Sequence, residues 1–243
     1  MNIIKFIAPK DYLDAKDNYP KPIKTNLPEW FKKLNHSVEK KTIKGCIPFL
    51  ETLTTGYLLR LPVDTKIEHY VDNGSLNTSI DEIKKGVKNQ MGLNMGTIGY
   101  HPVEQVTGCP FEKKNGEGRV FHKIANPWTI KTPPGYSCLF IPPLNNTTQD
   151  FFEIIPGIVH TDTFELEINF PIILNAEKYT NINTIFKRGL PYVQIIPFKR
   201  DDWQMKIETK NNKKASKNFL HWTLSFLHRY REKIYNKNKT KWL

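Results

Sequence analysis

Residues 126–146, NPWTIKTPPGYSCLFIPPLNN, hold one short apolar run between two proline pairs, Pro133-Pro134 and Pro142-Pro143. Proline has no N–H to give to a ladder and fixes its own φ, so each pair marks a place where sheet pairing stops. Between them there is room for a turn at Gly135 and a strand from Tyr136 to Ile141. Parity puts Tyr136, Cys138 and Phe140 on one face and Ser137, Leu139 and Ile141 on the other. Both faces are largely apolar. A strand buried on both sides, or one covered by a helix, is the expectation.

The rest of the chain repeats this pattern of short runs and turn residues, which argues for an antiparallel β architecture. In IEHYVDNGSLNT, Asn73-Gly74 stands between strand-like flanks, a hairpin signal, and FEKKNGEGRVFHKI offers a second at Asn115-Gly116. TFELEINFPIIL alternates, with Phe164, Leu166, Ile168 and Phe170 on one face and Glu165, Glu167 and Asn169 on the other. GLPYVQIIPF reads as a buried strand from Tyr192 to Ile196, closed by Pro197.

Helix is the minority. LPEWFKKL has Pro28 placed for a first turn, and SIDEIKKG carries a capping-box pattern at Ser79 and Glu82 that Gly86 ends. One long amphipathic helix is expected, SKNFLHWTLSFLHRYREKIY, capped by Ser216, with Phe219, Phe226, Leu227, Tyr230 and Ile234 on one stripe. The predicted fold is mainly β: a single-domain antiparallel β-sandwich or jelly roll of the double-stranded β-helix kind, with peripheral short helices. Residues 1–209 form its β-rich domain, and residues 210–243 a basic C-terminal helix and tail packed on the same domain.

Hydrophobic residues make up 39% of 243, enough for one large core. No apolar stretch is long enough to span a membrane, and the start, MNIIKFIAPKDYLDAKD, lacks the pattern of a secretory signal. Cys46, Cys109 and Cys138 form neither a CxxC pair nor an even framework. No membrane association is expected, and a reducing, intracellular compartment fits better than secretion. Of the net charge of +12, +9 falls from Lys210 onward, with ten lysines or arginines against Glu232. Such a segment solvates a helix face, or binds an acidic partner or nucleic acid. Lys213, Lys214, Lys217, Arg229 and Arg231 are the candidate nucleic-acid contacts.

The sharpest chemical candidate is GIVHTDTF. His160 and Asp162 stand two apart, so on a strand they share a side, here that of Phe164 and Phe170. A His-x-Asp pair on the inner face of a sandwich, with a second histidine, is the ligand pattern of a non-heme iron centre. His221 is the candidate third ligand, with Fe(II) and 2-oxoglutarate as cofactors and Arg229 or Arg231 for the 2-oxoglutarate carboxylate. The competing reading is a polar pair at a strand start, with Asp162 accepting turn hydrogen bonds. His101 and His122 are isolated histidines, GLNMGTIGYHPVEQVTG matches no phosphate-binding pattern, and Cys138 reads as a small buried hydrophobe.

The order NPWTIKTPPGYSCLFIPPLNN, GIVHTDTF, INFPIIL and GLPYVQIIPFKRDDW resembles a family of uncharacterised proteins common in marine bacteriophages, with more distant bacterial relatives. TIKGCIPFLETLTTGYLLRLPVD and LPEWFKKL fit the same family, so the resemblance runs from Leu27 to Trp203. Relatives often carry an acidic residue where this chain has His160, while keeping Gly157, Thr161 and Asp162, so the resemblance speaks against a shared iron triad. Its repeated elements are prolines, glycines, aromatics and asparagines, residues that shape turns and cores. The resemblance, the lack of a catalytic set and the architectural motifs together point to a non-catalytic phage protein, virion-associated or an accessory binding module, in the host cytoplasm or the virion, with no cofactor expected. Other virion proteins or further copies of the chain would be its partners. The iron-dependent oxygenase and the nucleic-acid-associated protein are the alternatives.

Overall fold

The computed structural model describes residues 2–13, 16, 19–37, 39–72, 75–82, 98–100, 105, 107–108, 121–146, 150–175, 178–179, 181–209, 230–238 and 240–243. They fall into two units: Met1–Lys21 with Gly56–Lys199, and Pro22–Thr55 with Arg200–Leu243.

The strands in chain order are β1 (Lys5–Ile7), β2 (Lys21–Pro22), β3 (Tyr57–Arg60), β4 (Thr65–Asp72), β5 (Ser75–Glu82), β6 (Ile98–Tyr100) and β7 (Phe121–Ile124). Then come β8 (Thr129–Lys131), β9 (Tyr136–Ile141), β10 (Phe152–Ile154), β11 (Gly157–Val159), β12 (Phe170–Leu174), β13 (Asn181–Phe186) and β14 (Pro191–Lys199). They form antiparallel sheets in the orders β10-β12-β7-β6, β11-β9-β14-β3-β2, β13-β4-β5 and β1-β8. The fold is mainly β, as the alternating runs predict.

Two of these sheets press their apolar faces together. Phe140 of β9 meets Phe170 of β12 with ring centroids 5.4 Å apart, and Phe170 meets Tyr192 of β14 edge-on at 5.7 Å. Ile124, Phe152, Ile154, Ile172 and Leu174 from one side and Leu59, Cys138, Val193 and Ile195 from the other complete a single buried cluster, the packing of a sandwich core. Ile67, Ile182 and Phe186 of the β13-β4-β5 sheet join it.

The proline-fenced strand is β9, paired to β11 on one side and to β14 on the other. Cys138 and Phe140 are buried in the core, and Leu139 and Ile141 are half-buried on the reverse face. The hairpin signal at Asn73-Gly74 is met: β4 and β5 pair with Asp72 opposite Ser75, leaving a two-residue connection. The signal at Asn115-Gly116 lies outside the described residues.

Three local expectations give way to the pairing and turns of the fold. Ser79 to Glu82, read as a helix start, are the end of β5, held opposite Glu68 to Thr65 of β4, so eight cross-strand partners outweigh one capping pattern. Pro197 does not close β14, which continues to Lys199 beside β9; pairing with β3 has already stopped at Ile195, so the proline sits where the strand has a neighbour on one side only. TFELEINF is not a strand. Thr161–Thr163 turn, Phe164 and Leu166 are exposed, and only from Phe170 does a strand run.

Gly56 is required by close approach: its φ is +82°, and a Cβ there would lie 2.1 Å from the Ile195 carbonyl oxygen.

In the second unit, Pro28 precedes α1 (Glu29–Lys33), as its sequence predicts, and α2 is Ile47–Thr52. Phe31 stacks on Phe49, with Trp30 edge-on to both. Tyr230–Tyr235 forms a π-helical turn that packs against α2. Tyr230 and Ile234 are half-buried there and Arg231 to Lys233 exposed, matching the predicted stripe at this end. Residues 210–229, the body of the expected C-terminal helix, lie outside the described residues.

Candidate functional site

The chain before β9 turns sharply because its residues leave few choices. Tyr136 N–H donates to the Pro133 carbonyl at 3.2 Å, and Gly135 has φ +82°. Proline at the second and glycine at the third position of such a turn is the type II pattern, in which the third residue needs positive φ.

The turn is then braced from across the sheet. Beyond β11 the chain folds back at once, with Thr163 N–H and Phe164 N–H both donating to the His160 carbonyl. This tight turn delivers three consecutive side chains to the TPPG corner. Asp162 Oδ2 accepts from Gly135 N–H at 2.9 Å. Thr161 Oγ1 lies 2.7 Å from Thr132 Oγ1, and the Thr161 carbonyl accepts from Thr132 N–H at 3.2 Å. His160 Nδ1 lies 2.8 Å from Ser137 Oγ.

His160 and Asp162 therefore occupy a turn and do not line the inner face of a strand. The strand-parity argument fails because turn hydrogen bonds, Asp162 among them, claim residues 160–164. The other histidine of the proposed iron set, His221, lies outside the described residues, as do His101, Lys213, Lys214, Lys217 and Arg229. Among the described residues no group of three or more His, Cys, Asp or Glu side chains is arranged to hold a metal ion. Arg231 is exposed on the π-helical turn, and His122 is buried in β7.

In the sequence Ser137 stands out only as a strand position and Thr161 only as part of the family pattern, and Thr132 not at all, yet the three make the corner. Ser137 and His160 resemble an activated nucleophile and its base, but Ser137 has no exposed surface, so its hydroxyl anchors the imidazole. Burial pushes the Cys138 thiol up to about 11, and Thr161 Oγ1 donates to its sulfur at 3.4 Å. At neutral pH Cys138 is a thiol and a poor nucleophile.

Beside the corner lies an open cleft of about 400 Å³, lined by Asn2, Ile3, Lys5, Lys131, Thr132 and the two prolines of the turn. Lys5 and Lys131 are direct cross-strand partners in β1 and β8, so two ammonium groups share one face. Glu165, exposed, lies 3.3 Å from the half-buried Lys131 and offsets part of that repulsion. Asn2 Nδ2 donates to the Tyr136 hydroxyl at 2.6 Å and fixes the N-terminal strand against β9. Only the register of β1 on β8, a pairing 126 residues apart, brings these groups together.

The far end of β9 is braced in a similar way. Gln194 of β14, fully buried, accepts from Leu144 N–H at 2.8 Å and pins the loop after Pro142-Pro143. Neither a protein-family model nor a curated protein matches the chain.

Proposed function

We propose that this chain is a non-catalytic, phage-encoded β-sandwich protein that acts through its surfaces, as part of the particle or as an accessory binding module on it. One observation carries the reading. Thr132, Ser137, His160, Thr161 and Asp162, the cluster with most of the makings of a reaction centre, spend their hydrogen bonds on one another and on the backbone of one turn. Groups committed in this way stiffen a surface, and the cleft they border presents amines, an amide and an apolar edge suited to holding a partner.

The test is quantitative mass spectrometry of purified particles from cultures producing the chain. Recovery in a fixed ratio to the major particle proteins makes it a component. Peptides confined to the host lysate remove the particle role. A purified protein that carries stoichiometric iron and turns over 2-oxoglutarate overturns the non-catalytic reading altogether.

A further inference from the structure

After β14 the chain runs from Arg200 to Glu208 with no helix, turn or bend, and pairs with no strand among the described residues. Side chains on such a stretch alternate between two sides. One side carries Asp201 and then Trp203, Met205 and Ile207, the last three exposed to 91%, 84% and 86%. The other carries Arg200, Asp202, Gln204, Lys206 and Glu208. The ion pair between Lys206 and Glu208 at 2.5 Å places these two residues on one side, as the alternation requires. Three large apolar side chains in a row, almost wholly in water, are a costly arrangement for a chain that stays alone.

The charges say what covers them. Laid antiparallel on a second copy of itself about Gln204, the segment sets Arg200 against Glu208 and Asp202 against Lys206, and each pair occurs twice. On the opposite side Trp203 falls against Met205, also twice, a favourable contact of sulfur with an aromatic ring, and Asp201 falls against Ile207 at either end. Competing registers are penalised. A shift of two residues one way opposes Arg200 to Lys206, and the other way opposes Asp202 to Glu208. A parallel pair would put Asp202 on Asp202 and Lys206 on Lys206. Like charges directly opposite destabilise a strand pair, and a shift of one residue sets Trp203, Met205 and Ile207 against polar or charged residues, so the register about Gln204 is favoured, and it has the two-fold symmetry of a closed dimer.

We infer that Arg200–Glu208 is a self-association strand, and that its partner is the same segment of a second copy, antiparallel, with Gln204 on the two-fold axis. This inference stands apart from the particle reading, since it concerns how the chain meets itself.

The test is sedimentation equilibrium of the full chain over a concentration series, with Asp202→Lys, Lys206→Asp and the double exchange. All three changes lie on exposed side chains, and circular dichroism checks the fold. The wild type is expected to dimerise, and each single reversal to weaken the dimer about tenfold by turning two attractive pairs into repulsive ones. The double exchange restores the pairs and should return the dissociation constant to within about twofold of wild type. A wild type that stays monomeric throughout overturns the inference. So does a double exchange no tighter than the single reversals, or a dimer that survives deletion of residues 200–208.

Discussion

The corner around Asp162 and the segment Arg200–Glu208 use their side chains in opposite ways. At the corner, residues chosen for chemistry in many proteins, a serine, two threonines, a histidine and an aspartate, are turned onto the protein itself, Ser137 and Thr161 with no exposed surface. In the segment, residues typical of a core stand in water. The lesson is that residue type ranks candidates poorly until the partners are known. A polar side chain whose hydrogen bonds are spent holds structure, and an apolar one with no neighbour seeks a partner.

The comparison predicts that the sheet carrying the corner is intolerant of change and the segment tolerant. The largest effect is expected at Gly56. Gly56→Ala needs a left-handed backbone and pushes a methyl group into the Ile195 carbonyl, a cost of about 3 kcal/mol or more. Urea unfolding measures it, and a loss under about 1 kcal/mol would mean that β3 and β14 give way easily.

The next effect is on pH dependence. Burial raises the Cys138 thiol to about 11, so the folded state holds its proton more tightly than the unfolded chain. The stability this represents is complete below the unfolded value of about 8.5 and is lost as pH rises towards 11, about 3 kcal/mol in all. Cys138→Ala should flatten the alkaline limb of the stability profile. An unchanged limb would assign it to other groups.

At the corner itself, Asp162→Ala leaves Gly135 N–H without that acceptor and should cost about 1–2 kcal/mol, while Asp162→Asn keeps an acceptor oxygen and should cost less. His160→Ala removes the Ser137 contact for about 1 kcal/mol. The metal content of the purified protein separates brace from ligand: bound iron that disappears in His160→Ala would make the histidine a ligand.

Much of the β architecture was legible in the sequence because its signals are local. Asn73-Gly74 announces a two-residue hairpin, and β9 is bounded by prolines that cannot pair. The rest depends on competing local signals or on residues far apart. At Ser79 the capping pattern competes with the nearby Asn73-Gly74 hairpin signal, which prevails, and nothing near Thr161 says that Thr132 is its neighbour. The candidate site suffered most. Of the two readings of His160 and Asp162, the one with Asp162 as a turn acceptor matches its hydrogen bond from Gly135 N–H. The strand parity used for the iron reading assumed an unbroken strand, and the hydrogen bonds to the His160 carbonyl break it.

The smallest effect on stability is expected from the largest side chain. Trp203→Ala removes an indole that is 91% exposed, so the dilute monomer should unfold within about 0.5 kcal/mol of wild type. The same change removes the Trp203–Met205 contacts from both halves of the proposed strand pair and should weaken dimerisation about tenfold or more. Unfolding at low concentration and sedimentation at high concentration therefore separate the two roles of one residue. A loss of several kcal/mol in the monomer would place Trp203 with the packed residues of the fold and erase its contrast with the corner. Unchanged stability with weakened association would show that the apolar residues of this segment serve contact between copies.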